Sequence, residues 1–464
     1  MKNDNLSASP GIALAPVSAG RADAGASLST EKTAVIPAGR MVRTRIGRDI
    51  LRFGMVFGPG LIVMVADNDA GAVSTYTQAG AQYGNHLLWI MLALLPMTYF
   101  IQEMVARLGI ATGQGHAAMI YQRFGRWWGL FSLTDLLIVN FLTLVTEFAA
   151  ISLALSKMGI SPLFAVPIAV VGLIILVTSG SYLRWERMVL FLCFLDLSWI
   201  ALAVIGQQHW GDVARSLVIP SVPHGGLTND LVFLVIAIVG TTIAPWQLFF
   251  QQSCVADKRL RFADLKFERL DTFVGAVFVI LLGVCMMLVG NAAYQRHLPF
   301  TDPAQMAGAL GPHFGTFMKD GILLMMINAA ILGTTTISLS SAWAYGEVKQ
   351  WPHSLHKKVK DAPGFYAVYM LCVMLAGGVV LIPGAPLQLI ILGVQVLAGV
   401  MLPSAIIFLQ LLLNDKELLG DQFANKPWNN WVNWSIIIVL FALSLVLALQ
   451  VVAPNLFPAS TVGT

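Results

Sequence analysis

Charged residues are scarce in this chain of 464 residues: Asp, Glu, Lys and Arg make up 11% of it, against about 25% in soluble domains. Hydrophobic residues make up 57%. These proportions exclude a soluble globular protein. Long apolar runs recur from residue 54 to residue 453 with short polar interruptions, which indicates one polytopic membrane domain embedded in a lipid bilayer.

Cysteine is also rare, with four residues at positions 193, 254, 285 and 372 that form no CxxC pair. This excludes a disulfide framework and a zinc-cysteine cluster. No HExxH motif, histidine cluster or nucleophile triad pattern occurs either, which argues against a membrane enzyme. We expect no cofactor and no nucleic-acid partner.

Residues 1–49 lack a long apolar stretch and are rich in Ala, Ser, Gly and Pro. The longest apolar run is too short for the core of a signal peptide. We interpret this segment as a disordered cytosolic tail. An organelle transit peptide is the alternative, because the segment carries Arg residues and few acids.

Residues 50–454 form the predicted transmembrane domain, and residues 455–464 form a predicted tail on the exterior side. Because about 20 apolar residues cross a bilayer, the pattern predicts eleven spans, centred roughly on residues 62, 95, 141, 170, 197, 241, 281, 332, 373, 400 and 442. This topology places 24 of the 28 Lys and Arg residues on one face. By the positive-inside rule that face is cytosolic, so the N-terminus is inside and the C-terminus outside.

Spans one and six carry polar or helix-breaking residues at mid-membrane depth. The first contains Asp67-Asn68-Asp69-Ala70-Gly71 and the sixth contains Gly240-Thr241-Thr242-Ile243-Ala244-Pro245. Two interrupted helices at matching places predict an inverted-repeat transporter with its site at the midplane. The repeats cover about 50–206 and 229–413, and an extra span follows at about 431–453.

Asp69 is the main candidate for that site. A carboxylate at the bilayer centre costs at least about 2.5 kcal/mol on insertion scales, so it is rarely kept without a partner or a task. Carbonyl groups freed near Ala66 and Thr241 by the two breaks would favour a cation beside it. The structural alternative is that Asp69 only caps the second half-helix.

Each of the other candidate residues near the breaks has two alternative roles. The amides of Gln247 and Gln395 would contact the ion or its water shell, or else brace the unwound segments. Trp246 would line the cavity or pack as core. Asp67 is a second pathway carboxylate or an acid in a water-filled vestibule.

Several spans and the segments between them resemble those of the natural resistance-associated macrophage protein (Nramp) family. The shared positions are Gly58-Pro59-Gly60, Ala66, Asp69, Gln78-Ala79-Gly80-Ala81, Gly84, the stretch from Arg107 to Gly113, Glu147, the stretch from Tyr182 to Arg187, Gln395 and Pro403. The resemblance runs from about residue 53 to residue 413. It implies an all-helical LeuT-type fold of five plus five spans and transport of divalent metal ions.

The departures from the family pattern concern the ion ligands. The family reads Asp-Pro-Gly-Asn and Met-Pro-His at the two breaks, whereas Ala72, Ala244 and Trp246 stand here in place of Asn, Met and His. Thioether and imidazole favour transition metals, and oxygen ligands suit Mg²⁺ and Mn²⁺. The pattern resembles the Nramp-related magnesium transporters, which implies a partly hydrated Mg²⁺ or Mn²⁺ ion.

Proton coupling has little support in the sequence. All eight histidines fall in loops or at span ends, Leu144 stands where the family carries an acid, and span nine lacks a charge. Glu147 survives as a candidate for the ion or proton pathway. We therefore expect an uncoupled importer that works by alternating access, in a bacterial inner membrane.

Two other functions stay open. One is a proton-coupled Mn²⁺ or Fe²⁺ symporter, and the other is a sensor that keeps the membrane domain without transporting. The oligomeric state is open, a monomer included.

Overall fold

A computed structural model describes residues 47, 49, 52–178, 181–223 and 226–452. The described residues form α-helices, short 3₁₀ turns and no strand. The helices are α1 Pro59–Ala66, α2 Ala70–Tyr83, α3 Leu88–Thr112, α4 His116–Phe124, α5 Arg126–Lys157, α6 Pro162–Thr178, α7 Tyr182–Leu195, α8 Ser198–Ile205, α9 Trp210–Val218, α10 Asn229–Thr242, α11 Pro245–Asp257, α12 Leu265–Tyr294, α13 Pro303–Phe314, α14 Thr316–Lys349, α15 Pro363–Val380, α16 Leu387–Leu413, α17 Lys416–Phe423 and α18 Pro427–Val452. The predicted tails at 1–49 and 455–464 lie outside the described residues, apart from residues 47 and 49.

Within the described ranges, nine helical stretches are long and apolar enough to cross a membrane. They comprise α3, α5, α7 with α8, α10 with α11, α12, α14, α15, α16 and α18. The other two predicted spans are also helical: α6 is apolar but has 17 residues, and the first span consists of α1 and α2. Each predicted span centre therefore lies in one of these stretches.

The first span breaks between Ala66 and Ala70. Asp67 keeps a helical backbone as the C-cap of α1, and the amide of Asn68 closes a tight turn onto the carbonyl of Val65 at 3.0 Å. Asp69 is then extended and begins α2 as its N-cap. The break therefore leaves the last carbonyl groups of α1 and the first amide groups of α2 without partners within their own helices.

The sixth span breaks at Ile243 and Ala244, which both have extended backbones. Pro245 follows at the first position of α11, where its missing amide proton costs nothing and its fixed φ suits a helix start. The predicted interruptions of spans one and six are confirmed by these backbone conformations.

Glycines let neighbouring helices approach the broken ones closely. A Cβ on Gly60 of α1 would lie 2.7 Å from the backbone nitrogen of Thr272 in α12. A Cβ on Gly240 of α10 would collide with the backbone of α16 at Gln395 and Gly399. Close backbone approach through small residues is the usual packing of membrane helices, and it brings α12 and α16 against the two breaks.

Candidate ion site between the two broken helices

Asp69 lies at the start of α2 with 2% of its surface exposed. Its Oδ1 accepts a hydrogen bond from the backbone amide of Ala72 at 2.9 Å. The capping role considered from the sequence is therefore present in the structure. A cap uses one carboxylate oxygen, so capping and ion binding are compatible in the same side chain.

Glu147 from α5 reaches the same helix start. Its Oε2 accepts a hydrogen bond from the amide of Ala70 at 3.1 Å, while its Oε1 is buried and has no hydrogen-bond partner among the described residues. Two carboxylates thus share the N-terminus of α2, where the helix dipole favours negative charge. This arrangement leaves an unpaired carboxylate oxygen in a site closed to solvent.

Gly333 of α14 faces both carboxylates. A Cβ at this position would lie 2.7 Å from Cδ of Glu147 and 2.9 Å from Cβ of Asp69. These distances show that Asp69 and Glu147 converge on the same face of α14. The absence of a side chain at Gly333 is what makes their approach sterically possible.

Gln395 of α16 lies against Gly71, the second residue of α2. A Cβ on Gly71 would collide with the amide nitrogen of Gln395 and would lie 3.1 Å from Oδ1 of Asp69. Nε2 of Gln395 is buried and has no hydrogen-bond partner in the described part of the chain. Gln395 therefore presents an unused amide to the neighbourhood of Asp69.

Gln247 makes a different contact, which links the two breaks directly. Its Nε2 donates a short hydrogen bond to Oδ1 of Asp67, and its Oε1 accepts one from Gln102 of α3 at 2.8 Å. Asp67 is fully buried, and its Oδ2 has no partner among the described residues. Of the two roles considered for Gln247, the geometry provides the bracing contact.

The remaining residues of the sixth-span break are buried as well. Oγ1 of Thr241 has no hydrogen-bond partner within the described ranges, and Ala244 is the N-cap residue of α11 but makes no side-chain capping hydrogen bond. Trp246 is fully buried, and its ring lies 6.0 Å from that of Phe250. Trp246 thus packs in an aromatic cluster as well as standing next to the break.

Three further polar residues at the site were not picked out from the sequence. Asn68 has a buried Oδ1 without a partner among the described residues, Gln102 binds Gln247, and the hydroxyl of Tyr76 lies 2.7 Å from that of Thr242. The position of Asn68 between two acids in the break was a usable signal. Gln102 and Tyr76 become recognisable only from contacts between distant spans.

No histidine of the described residues lies in this region. The seven described histidines lie outside the nine long apolar stretches, and His224 is outside the described residues. His116, at the start of α4, is fully buried, and burial lowers its pKa to about 4. In the described part of the chain no cluster of three or more His, Cys, Asp and Glu side chains could hold a metal ion. Backbone and amide oxygens would have to complete the coordination of any cation held by Asp69.

Charged side chains join the start of α1 to the neighbouring helices. Nζ of Lys258, just after α11, donates to the carbonyls of Val56 and Phe57 at 3.0 and 2.8 Å and pairs with Glu186 of α7 at 2.7 Å. Oδ2 of Asp271 in α12 accepts hydrogen bonds from the amides at the start of α1. The N-terminal end of α1 is therefore held by α7, α11 and α12 together.

Neutral hydrogen bonds join the helices on the opposite side, toward the end of α2. The hydroxyl of Ser74 donates to Oε1 of Gln388 in α16 at 2.7 Å, and Nε2 of Gln388 donates to Oε1 of Gln78 at 3.1 Å. Two cavities of about 450 and 570 Å³ flank this contact. The two sides of the site thus differ in kind, with ion pairs on one and amide hydrogen bonds on the other.

The chain is similar to known metal transporters both in sequence and in structure. The divalent metal cation transporter MntH of Staphylococcus aureus strain JH9 is 24% identical over 430 residues, which cover 86% of this chain and 92% of that protein. The manganese transporter of Eremococcus coleocola, in complex with an aromatic bis-isothiourea substituted compound, superposes with a TM-score of 0.71 at 20% identity. That match covers 94% of this chain and 93% of the transporter.

More distant structures share the architecture. Mhp1, a nucleobase-cation-symport-1 family transporter, superposes in a closed conformation with a TM-score of 0.52 at 13% identity, covering 88% of this chain and 94% of Mhp1. The predicted all-helical membrane fold of the LeuT type is confirmed by these structural neighbours. Residues 60–450 match the family model described as natural resistance-associated macrophage protein-like. The chain therefore belongs to the Nramp family.

Proposed function

We propose that this protein is a secondary transporter that imports divalent metal cations, most of all Mg²⁺ and Mn²⁺, by alternating access. The observation that carries the proposal is the pair of carboxylates, Asp69 and Glu147, buried at the start of α2 between the two broken helices. Two of the relatives given above are a divalent metal cation transporter and a manganese transporter, which supports the same class of substrate.

The chemistry of the site favours hard cations. Ala72 and Ala244 supply only methyl groups, and Trp246 is buried beside the break, so these three positions offer no thioether or imidazole to a softer metal. The proposed ligands are oxygens: the carboxylate of Asp69, the carbonyl of Ala66, and the hydroxyl of Thr241. Such a set suits Mg²⁺ and Mn²⁺.

An amide would complete the set. Nε2 of Gln395 has no partner in the described chain and lies against Gly71, near Asp69. Rotation of this amide by half a turn would present Oε1 to the ion instead. Gln247 would lie outside the set of ion ligands, because its own amide already donates a hydrogen bond to Asp67.

Partial hydration follows from the same residues. Mg²⁺ releases its waters reluctantly and usually keeps several of them. The short side chains of Ala72 and Ala244 leave room for water where longer ligands would displace it. We propose that the ion crosses the site with part of its water shell.

Alternating access would open the site in turn on each of its two sides, the side of the ion pairs at the start of α1 and the side of the Gln388 hydrogen bonds. Release of the Lys258–Glu186 ion pair and of the Asp271 cap would free the start of α1, and separation of Gln388 from Ser74 and Gln78 would open the other side. With the basic-rich face in the cytosol, the α1 side would be cytosolic. The protein would then lie in the plasma membrane with its N-terminus inside.

We further propose that transport proceeds without proton coupling, because span nine carries no charge between Pro363 and Pro383 and Leu144 replaces an acid. One observation favours the alternative, a proton-coupled Mn²⁺ or Fe²⁺ symporter. Oε1 of Glu147 is buried without a partner among the described residues, directly beside Asp69, and such a carboxyl group could carry a proton.

Asp69→Asn tests the location of the site. Asn is as good an N-cap as Asp, so the start of α2 keeps its hydrogen bond while the negative charge is lost. We expect the variant to insert and to carry no Mn²⁺ into proteoliposomes. Asp67→Asn is the matched control, because the new amide oxygen still accepts from Gln247, and its uptake should fall less. Wild-type uptake by Asp69→Asn would show that the site is elsewhere.

A further inference from the structure

An apolar groove of about 700 Å³ runs along the outer surface between α6 and α7, with α5 and α14 as its floor. Its lining includes Ile168 and Ile175 of α6, Phe191 of α7 and Ile331 of α14. The volume falls within the range of about 300–1,000 Å³ that is usual for ligand pockets. Arg187 is the one charged residue in this lining.

Arg187 is exposed and lies in the second turn of α7. No ion pair or hydrogen bond joins its guanidinium to another side chain in the described part of the chain, although the preceding residue is an acid. Glu186 is turned inward instead and pairs with Lys258 at 2.7 Å. The first turns of α7 thus place a paired carboxylate on the buried face and, at the groove, a guanidinium that pairs with no side chain of the described residues.

A second arginine, Arg184, lies three residues before Arg187 and is also exposed. Residues three apart lie on the same face of a helix. Two other arginines of the basic-rich side, by contrast, have acidic partners: Arg107 pairs with Glu103, and Arg123 with Glu417. No acidic side chain among the described residues therefore pairs with the positive charge at the end of the groove.

The groove is open because α6 is lined with small residues where it faces α7. Ala165, Ala169 and Gly172 follow one another at helical spacing along the groove. A Cβ added at Gly172 would meet nothing within 4 Å. No neighbouring helix in the described ranges fills the space.

We propose that this groove binds one anionic phospholipid, with the phosphate paired to Arg187 and an acyl chain lying along the groove toward Ile168. Lipid tails contact every apolar groove that faces a bilayer. The headgroup preference of this groove therefore depends on the positive charge of Arg187. Basic pockets between membrane helices recognise anionic headgroups on the cytoplasmic side. The guanidinium offers a bidentate match to phosphate that a neutral side chain lacks.

The inference depends on α6 and α7 crossing the membrane and not on which ion is carried. It is tested by native mass spectrometry of the full chain purified with equal amounts of dioleoyl phosphatidylglycerol and dioleoyl phosphatidylcholine. We expect phosphatidylglycerol to be retained in preference to phosphatidylcholine. Arg187→Gln should weaken that retention about fivefold, the factor that corresponds to about 1 kcal/mol per basic residue. Arg126→Gln is the matched control, because Arg126 is exposed on the same basic side at the far end of α5.

A second variant tests the groove without changing any charge. Gly172→Leu should fold, since the new side chain has open space, and should lower phosphatidylglycerol retention by filling the path of the acyl chain. Equal retention of the two lipids by the wild type would overturn the proposal, as would wild-type retention by either Arg187→Gln or Gly172→Leu. A lipid-free dimer unaffected by Arg187→Gln would assign the groove to a second copy of the chain instead. Mn²⁺ uptake measured on the same samples keeps this result separate from the transport proposal.

Discussion

Oε2 of Glu147 accepts a hydrogen bond from the backbone amide of Ala70 at 3.1 Å, so a carboxylate from α5 binds the helix start that Asp69 also caps. The two acids come from spans that are distant in sequence. Their shared position on α2 means that the second acid influences the electrostatics of the site directly, whether or not it touches the ion.

Glu147→Gln separates the charge of this residue from its hydrogen bond. The Gln side chain can still accept from the amide of Ala70, so we expect normal insertion and stability. Mn²⁺ uptake into proteoliposomes should fall by about tenfold or more, because the cation loses the attraction of a nearby buried negative charge. Glu147→Ala should in addition lower the stability by about 1 kcal/mol through loss of the cap. Full uptake by Glu147→Gln would restrict Glu147 to a structural role.

Gly333→Ala tests whether the two carboxylates must approach α14. The added Cβ would lie 2.7 Å from Cδ of Glu147 and 2.9 Å from Cβ of Asp69, so one or both side chains have to move. We expect uptake to be lost at unchanged expression. Gly378→Ala in α15 is the control, since a Cβ there meets nothing within 4 Å. Equal uptake by the two variants would mean that this approach is not needed for transport.

Ala244→Met restores a thioether at the sixth-span break. A soft ligand helps Cd²⁺ more than Mg²⁺, and the longer side chain displaces water that Mg²⁺ tends to keep. We expect Cd²⁺ to compete more strongly for Mn²⁺ uptake in the variant and Mg²⁺ to compete less. Ala244→Leu controls for side-chain size. An unchanged order of competition in Ala244→Met would place Ala244 away from the ion.

Lys258→Gln should loosen the closure on the α1 side, because Lys258 joins Glu186 to the carbonyls before α1. Cys254 lies one turn earlier in α11 and is fully buried, so its alkylation by a maleimide reports opening. In a chain whose other three cysteines are Ser, we expect labelling about tenfold faster than with Lys258 present, consistent with loss of a hydrogen-bonded charge.

Arg259→Gln is the control for that measurement, because Arg259 is exposed and next in sequence. Labelling that is equally fast in the Lys258 and Arg259 variants would show that the ion pair does not hold the closure.

The breaks in spans one and six could be predicted from sequence, because Asp69 and Pro245 interrupt apolar runs that otherwise have no reason to stop. Helix ends are local, and the residues that cause them are adjacent in the chain. The span positions followed in the same way from continuous apolar length.

The side-chain contacts of the site could not be predicted in this way. Gln247 is separated by 180 residues from Asp67 and by 145 from Gln102, and a single sequence gives no measure of which faces of two spans meet. The bracing role of Gln247 and the amide contact of Glu147 both depend on such meetings. Arg187 likewise attracts attention only once the structure shows that the neighbouring acid, Glu186, pairs with Lys258 and not with Arg187.

The central claim is that the site takes hard divalent ions without moving protons. It is tested most directly by Mn²⁺ uptake into liposomes that contain the purified protein and an internal pH dye, under titration with external Mg²⁺. We predict that millimolar Mg²⁺ inhibits Mn²⁺ uptake and that the internal pH stays constant as the metal enters. Uptake that ignores millimolar Mg²⁺, or acidification of the lumen in step with Mn²⁺ entry, would contradict this account and favour a proton-coupled transition-metal symporter.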